Sequence, residues 1–166
     1  KLNTFLKIKG IRYFGNVEDV RKLWSKSNIA ILLSKREGLP LSLMEAAAVG
    51  RAIIATNVPG CREIAIHKYN SITVEPGDII STRDAILELS KNKKFDIIKI
   101  RGSGINLSYY KKLKEPEEKN IKILYVGRLL EDKGILWLIE SFKKAKDIYK
   151  NIELYIAGSL DEKNPT

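Results

Sequence analysis

One cysteine, one histidine, one methionine and five prolines stand among 166 residues, and no long apolar run interrupts them. Cys61 has no partner for an internal disulfide, which points to a reducing compartment. With no histidine beside it in sequence, Cys61 reads as a small packed residue and not as a nucleophile. The sole histidine, His67, lies in the polar stretch His-Lys-Tyr-Asn and reads as a surface residue. The sequence holds no metal-ligand cluster and no Ser-His-Asp set. No apolar stretch approaches the ~18 residues that cross a bilayer. No charged-then-apolar leader is visible, so no signal peptide is expected. The pattern G-x-x-x-x-G-K-[ST] is absent, which excludes a P-loop.

What is present is a 44% hydrophobic chain, enough for a proper core, with the length of a single domain spanning 1–166. The net charge is +10 and the pI about 9.6. Nucleic acid, an anionic membrane surface or a phosphorylated small molecule could each answer that charge, as could general solubility of a Lys-rich composition. The lysines are spread along the chain. The dense patches, Lys91–Lys94 (KNKK) and Lys111–Lys114 (KKLK), lack the aromatic spacing of an RNA platform.

Short apolar runs alternate with amphipathic segments. Strands are expected at Ile11–Phe14, Ile29–Leu33, Ala52–Thr56, Ser71–Val74, Ile121–Val126 and Ile152–Ala157. Helices are expected at Val17–Ser27, Leu43–Val49, Asp78–Ser90 and Lys133–Ile148, with a further helix near Lys1–Lys7 and a short one behind Pro59-Gly60. A polar, linker-like segment, 91–120, contains the apolar run Ile97–Ile100. Strands of four to six apolar residues alternating with helices predict a parallel sheet covered on both faces, a doubly wound, Rossmann-like α/β domain. Such domains bind ligands at the carboxyl ends of their strands, where helix N-termini are exposed.

The loops after the strands therefore carry the functional candidates. After Ile29–Leu33 comes Ser34-Lys35-Arg36-Glu37-Gly38-Leu39-Pro40, with Pro40 suited to a first helical turn. Glu45 follows within that helix, where a carboxylate could accept hydroxyls of a ribose or sugar. Ser42-Leu43-Met44-Glu45 equally matches a capping box, and the residues alone leave both roles open for Glu45. After Ile121–Val126 comes Gly127-Arg128-Leu129-Leu130-Glu131-Asp132-Lys133-Gly134. Arg128 and Lys133 could clamp a diphosphate, or form an exposed turn with Lys133 paired to Glu131 or Asp132. After Ala52–Thr56, Gly60 in Pro59-Gly60 could let a ligand approach the backbone.

These loops together resemble the nucleotide-sugar-binding C-terminal half of a GT-B retaining glycosyltransferase, family 4 or group 1. The E-x7-E signature matches Glu37–Glu45, the G-R-x4-K-G loop matches GRLLEDKG, a strand-end glycine matches Gly15 after Phe14, and P-G-x-x-E matches Pro59–Glu63. The similarity covers residues 8–90 and 97–160. It implies that Glu45 holds the ribose hydroxyls, that Glu37 faces the donor sugar, and that backbone N–H groups of Gly38, Leu39 and Leu41, around Pro40, meet diphosphate or sugar. Gly15 and Gly127 belong to the same donor-binding set. Arg128 and Lys133 are implied to neutralise the leaving diphosphate, an electrostatic form of catalysis. It further implies a UDP- or GDP-linked sugar as substrate, no cofactor, no metal, a cytoplasmic setting at most peripheral to the inner membrane, and hexosyl transfer with retention in capsule, lipopolysaccharide or other glycolipid synthesis.

Two departures from the family are visible. The Arg128/Lys133 loop follows E-x7-E, whereas the family places it first, so a circularly permuted domain is expected, with a fragment of tandem copies or a rearranged remnant as the other accounts. No residue resembles the N-terminal acceptor half. Weak donor binding, little transfer by the chain alone, and pairing with the missing half or a second copy as a homodimer are therefore expected. A non-enzymatic remnant or interaction module is the competing reading. Acidic residues in the very loops that would face a polyanion argue against nucleic acid.

Overall fold

The structure, a computed structural model, describes residues 7–91 and 105–160. Six strands form one parallel sheet: β1 (Ile11–Tyr13), β2 (Ile29–Leu32), β3 (Ala52–Thr56), β4 (Ser71–Val74), β5 (Ile121–Val126) and β6 (Ile152–Ala157). The helices are α1 (Arg21–Trp24), α2 (Leu41–Ala48), α3 (Pro59–Arg62), α4 (Ile79–Lys91) and α5 (Ile135–Ile148), with one 3-10 turn at Glu131–Lys133. The expected α/β class is what folds. Ile97–Ile100 and most of Lys1–Lys7 lie outside the described residues.

The spatial order is β1-β6-β5-β2-β3-β4, with every adjacent pair parallel. Counted from β5, the same order reads 3-2-1-4-5-6, the arrangement of dinucleotide-binding sheets. β5 and β2 are neighbours, yet the chain leaves β5 towards β6 and leaves β2 towards β3. Connections diverging from adjacent parallel strands open a crevice at their carboxyl ends.

The central strands are near-continuous apolar runs because both of their faces are covered. All four residues of β2 are buried, as are the first five of β5. α4 and α5 pack against each other. Trp24, Tyr125 and Phe142 are the largest fully buried side chains.

The first predicted helix is much shorter than expected. Of Val17–Ser27 only Arg21–Trp24 is helical. The Asp19 carboxylate accepts the Arg21 backbone N–H at 3.1 Å and its guanidinium at 2.7 and 2.9 Å, starting the helix late and leaving residues 17–19 as a loop. The segment 105–120 has no regular structure but is docked: the Leu113 N–H donates to the Val49 carbonyl, and buried Arg51 holds the Glu115 carboxylate and the Lys114 carbonyl.

Candidate functional site

At the divergence of β2 and β5 lies a cleft of about 680 Å³. Glu37, Pro40, Leu41 and Glu45 line one side and Gly127, Arg128 and Lys133 another, with residues 17–21 and Tyr109–Tyr110 completing the wall. Leu32 and Val126, at the ends of the two diverging strands, form part of its floor.

Glu37 is placed by the loop after β2. Its Oε1 accepts the Ser34 hydroxyl at 2.6 Å and Lys133 Nζ at 2.9 Å. Both ends of the ion pair are largely shielded, with Lys133 19% and Glu37 14% exposed. The Lys35 N–H donates to the Asp132 carbonyl at 2.7 Å, stitching the two loops together. Lys133 thus faces across the crevice and not back to Glu131 or Asp132 as a local turn would have it. Gly134 makes that turn: its φ is +70°, and a Cβ there would stand 2.1 Å from the Leu33 carbonyl oxygen.

Arg128 is exposed at the cleft, and its own carbonyl accepts the Tyr125 hydroxyl at 2.7 Å. Gly127 gives that hydroxyl room, because a Cβ would lie 3.1 Å from it. Burial, reinforced by the charges of Glu37 and Asp132, pushes the Tyr125 phenol well above its ordinary value, so it remains a donor.

Glu45 is buried, at 6% exposure. Its Oε2 accepts the Trp24 indole N–H at 3.1 Å and its Oε1 the Tyr110 hydroxyl at 2.6 Å. The capping box is not formed. Pro40 occupies the N-cap of α2 without a side-chain cap, and Ser42 lies inside the helix. The first turn of α2, including Leu41 and Ser42, therefore faces the cleft without a side-chain acceptor for its free N–H groups.

Other expected positions stand apart from the cleft wall. Gly38 and Leu39 do not line it; Leu39 packs against the core. Gly15 is a left-handed turn residue, φ +66°, whose carbonyl accepts the Gly158 N–H at 2.7 Å. It neighbours a smaller cavity of about 210 Å³ lined by Asn16, Val17, Gly158 and Ser159 and sharing Gly127 and Arg128 with the main cleft. Gly60 serves chain packing and not ligand approach: a Cβ would stand 2.0 Å from the Gly38 carbonyl oxygen. Cys61 is fully buried, and burial raises its thiol to about 11. His67 is exposed and accepts the Thr73 N–H at 3.1 Å.

Sequence reasoning missed Trp24, Ser34, Arg21, Tyr109 and Tyr110. The adjacent tyrosines in an otherwise polar stretch were the one local signal. Arg21 lies over the Tyr109 ring, its guanidinium carbon 5.2 Å from the centroid, while Asp19 holds its other side. Four carboxylates and three cations line the cleft, and two of each are paired with one another. Among the described residues no three His, Cys, Asp or Glu side chains converge as metal ligands, and no helix is long and apolar enough to cross a membrane.

Residues 1–92 match a family model described as "Glycosyl transferases group 1", and residues 109–166 match a second model with the same description. Among curated proteins, N-acetyl-alpha-D-glucosaminyl L-malate synthase of Bacillus anthracis is 27% identical over 125 residues, covering 75% of this chain and 32% of that protein. The N,N'-diacetylbacillosaminyl-diphospho-undecaprenol alpha-1,3-N-acetylgalactosaminyltransferase of Campylobacter jejuni is 29% identical over 90 residues, 54% of this chain and 24% of its own. The capsular polysaccharide biosynthesis glycosyltransferase CapM of Staphylococcus aureus is 35% identical over 75 residues, 45% and 19% of the respective chains. The chain thus spans about a third or less of the length of these relatives. No solved structure matches it.

Proposed function

Because the chain belongs to the group 1 glycosyltransferases, we propose that its cleft is a donor site for a nucleoside-diphosphate sugar, UDP- or GDP-linked. The observation that carries this reading is the meeting of Glu37 and Lys133 across the switch crevice, with Glu45 and Arg128 lining the same cleft. A crevice at the carboxyl ends of diverging parallel strands is where such sheets take nucleotides. The volume, about 680 Å³, suits a ligand of that size.

In this reading Glu45 receives the ribose hydroxyls. Arg128, Lys133 and the open first turn of α2 receive the diphosphate. Glu37 stands beside Lys133, where the sugar leaves that diphosphate. During transfer the bond from the anomeric carbon to the phosphate oxygen breaks with its electron pair staying on the diphosphate, while the oxygen of an acceptor hydroxyl bonds to that carbon and its proton passes to the departing diphosphate. Fixed cations aimed at that developing charge lower the barrier without reorganising. Transfer with retention, a role in polysaccharide or glycolipid synthesis in the cytoplasm at the inner membrane face, and a cyclic shift of family order that accounts for the strand sequence 1-6-5-2-3-4 belong to the same proposal. So does dependence on an acceptor half, supplied by another domain or a second copy, for turnover. The carboxylates of Glu18, Asp19, Glu37 and Glu45 lining the cleft would face a polyanion and disfavour nucleic acid.

Titration calorimetry with UDP, GDP and their sugar conjugates tests the proposal on wild type, Arg128→Ala and Glu45→Ala. Saturable binding of one nucleotide, weakened at least about tenfold by Arg128→Ala and less by Glu45→Ala, whose oxygens this chain already satisfies, is the expected result. A folded protein that binds none of them supports the competing reading, a module that keeps the fold without the activity. The internal satisfaction of Glu45 by Trp24 and Tyr110 is the observation in its favour.

A further inference from the structure

Both carboxylate oxygens of Glu45 are occupied by donors of this chain, and the two donors differ in kind. Trp24 is 1% exposed and belongs to the core, so its bond to Oε2 persists whatever enters the cleft. Tyr110 is only half-buried, lines the cleft, and reaches Oε1 from the irregular segment ahead of β5. Its backbone is fixed locally by the Asn106 carbonyl, which accepts the Tyr109 and Tyr110 N–H groups, and by Leu113 bonded to Val49. Burial and the neighbouring Glu45 charge raise the phenol to about 12, so it carries its proton at neutral pH.

We propose that Tyr110 sets the affinity and hydroxyl selectivity of the cleft, because its hydroxyl occupies the Glu45 oxygen that a ligand diol must reach. The inference rests on the reading of Glu45 as the ribose-holding group. A ribose that enters replaces one charge-assisted hydrogen bond by another, so its hydroxyls gain little. A ligand without those hydroxyls leaves the Tyr110 bond in place and loses little. The wild-type cleft therefore discriminates weakly between them. Tyr110→Phe keeps the ring and removes the donor. Glu45 Oε1 then faces the cleft with only water to satisfy it, and a hydroxyl-bearing ligand replaces that water by a direct bond.

Calorimetric titrations of wild type and Tyr110→Phe with UDP and GDP, each beside its 2′,3′-dideoxy form, test this, with circular dichroism to establish folding. Tyr110→Phe is expected to bind the ribonucleotide about tenfold more tightly and the dideoxy form unchanged. An equal gain for both forms means a merely widened cleft and overturns the inference. An unchanged or weakened ribonucleotide affinity also overturns it, the latter making Tyr110 a ligand contact. Glu45→Ala in both backgrounds separates the two levels. If it weakens ribonucleotide binding while Tyr110→Phe fails to tighten it, only the role of Tyr110 falls. If it leaves ribonucleotide binding by Tyr110→Phe untouched, the ribose assignment of Glu45 falls first. Absence of binding to every variant overturns both.

Discussion

Lys133 Nζ lies 2.9 Å from Glu37 Oε1, joining side chains 96 positions apart in the sequence. The contact exists because β5 and β2 are neighbours and both loops rise from the same end of the sheet. The lysine that would meet a diphosphate is therefore already answered by a carboxylate.

Glu37→Gln should release that lysine while keeping an acceptor for the Ser34 hydroxyl. UDP or GDP, whichever binds wild type, is expected to bind this variant three- to tenfold more tightly, about 0.7–1.4 kcal/mol. Lys133→Ala should lose about 1.5–3 kcal/mol of the same binding. Calorimetry at two salt concentrations checks both. An unchanged affinity in Glu37→Gln would mean that Lys133 never reaches the ligand.

Gly134→Ala combines a left-handed backbone with a collision against the Leu33 carbonyl oxygen. The conformational cost is about 1–2 kcal/mol and the overpacking another 1–3. Urea denaturation should show a loss of roughly 2–5 kcal/mol. Because Lys133 precedes this glycine, the loop must shift and nucleotide binding should weaken as well. A variant as stable as wild type would show that the Leu33–Gly134 contact yields easily.

Cys61 predicts an alkaline weakness. Its thiol is raised from 9.0 to about 11 by burial, against an opposing hydrogen bond from Thr56. The folded state therefore holds the proton more tightly than the unfolded chain. This stabilisation is complete below about pH 9 and is lost as pH rises from about 9 through about 11, roughly 3 kcal/mol in all. Urea midpoints between pH 8 and 11 should fall less steeply in Cys61→Ala than in wild type. At neutral pH the native thiol should resist alkylation until the chain unfolds; rapid labelling of folded protein would contradict its burial.

The strands were legible because a strand covered on both faces must be apolar along its length, and that is a local property. β3, β4, β5 and β6 lie at the expected residues, and β1 and β2 each end one residue early. α1 was overestimated because apolar periodicity in Val17–Ser27 says nothing of the Asp19 carboxylate capturing the Arg21 N–H. The loops that carry Glu37, Arg128 and Lys133 were also legible, since they follow the strands directly, as was the helix behind Pro40 that carries Glu45.

The sequence by itself determined the α/β class, the strand positions and, of the cleft lining, Glu37, Glu45, Arg128 and Lys133, all of which follow from runs of neighbouring residues. Only the tertiary structure decided how that inventory is connected. It paired Lys133 with Glu37, gave the two Glu45 oxygens to Trp24 and Tyr110, and turned Gly60 into a packing contact. These are contacts between segments far apart in the chain. They depend on which strands lie side by side and on where the 105–120 segment docks, and no local pattern of residues encodes either.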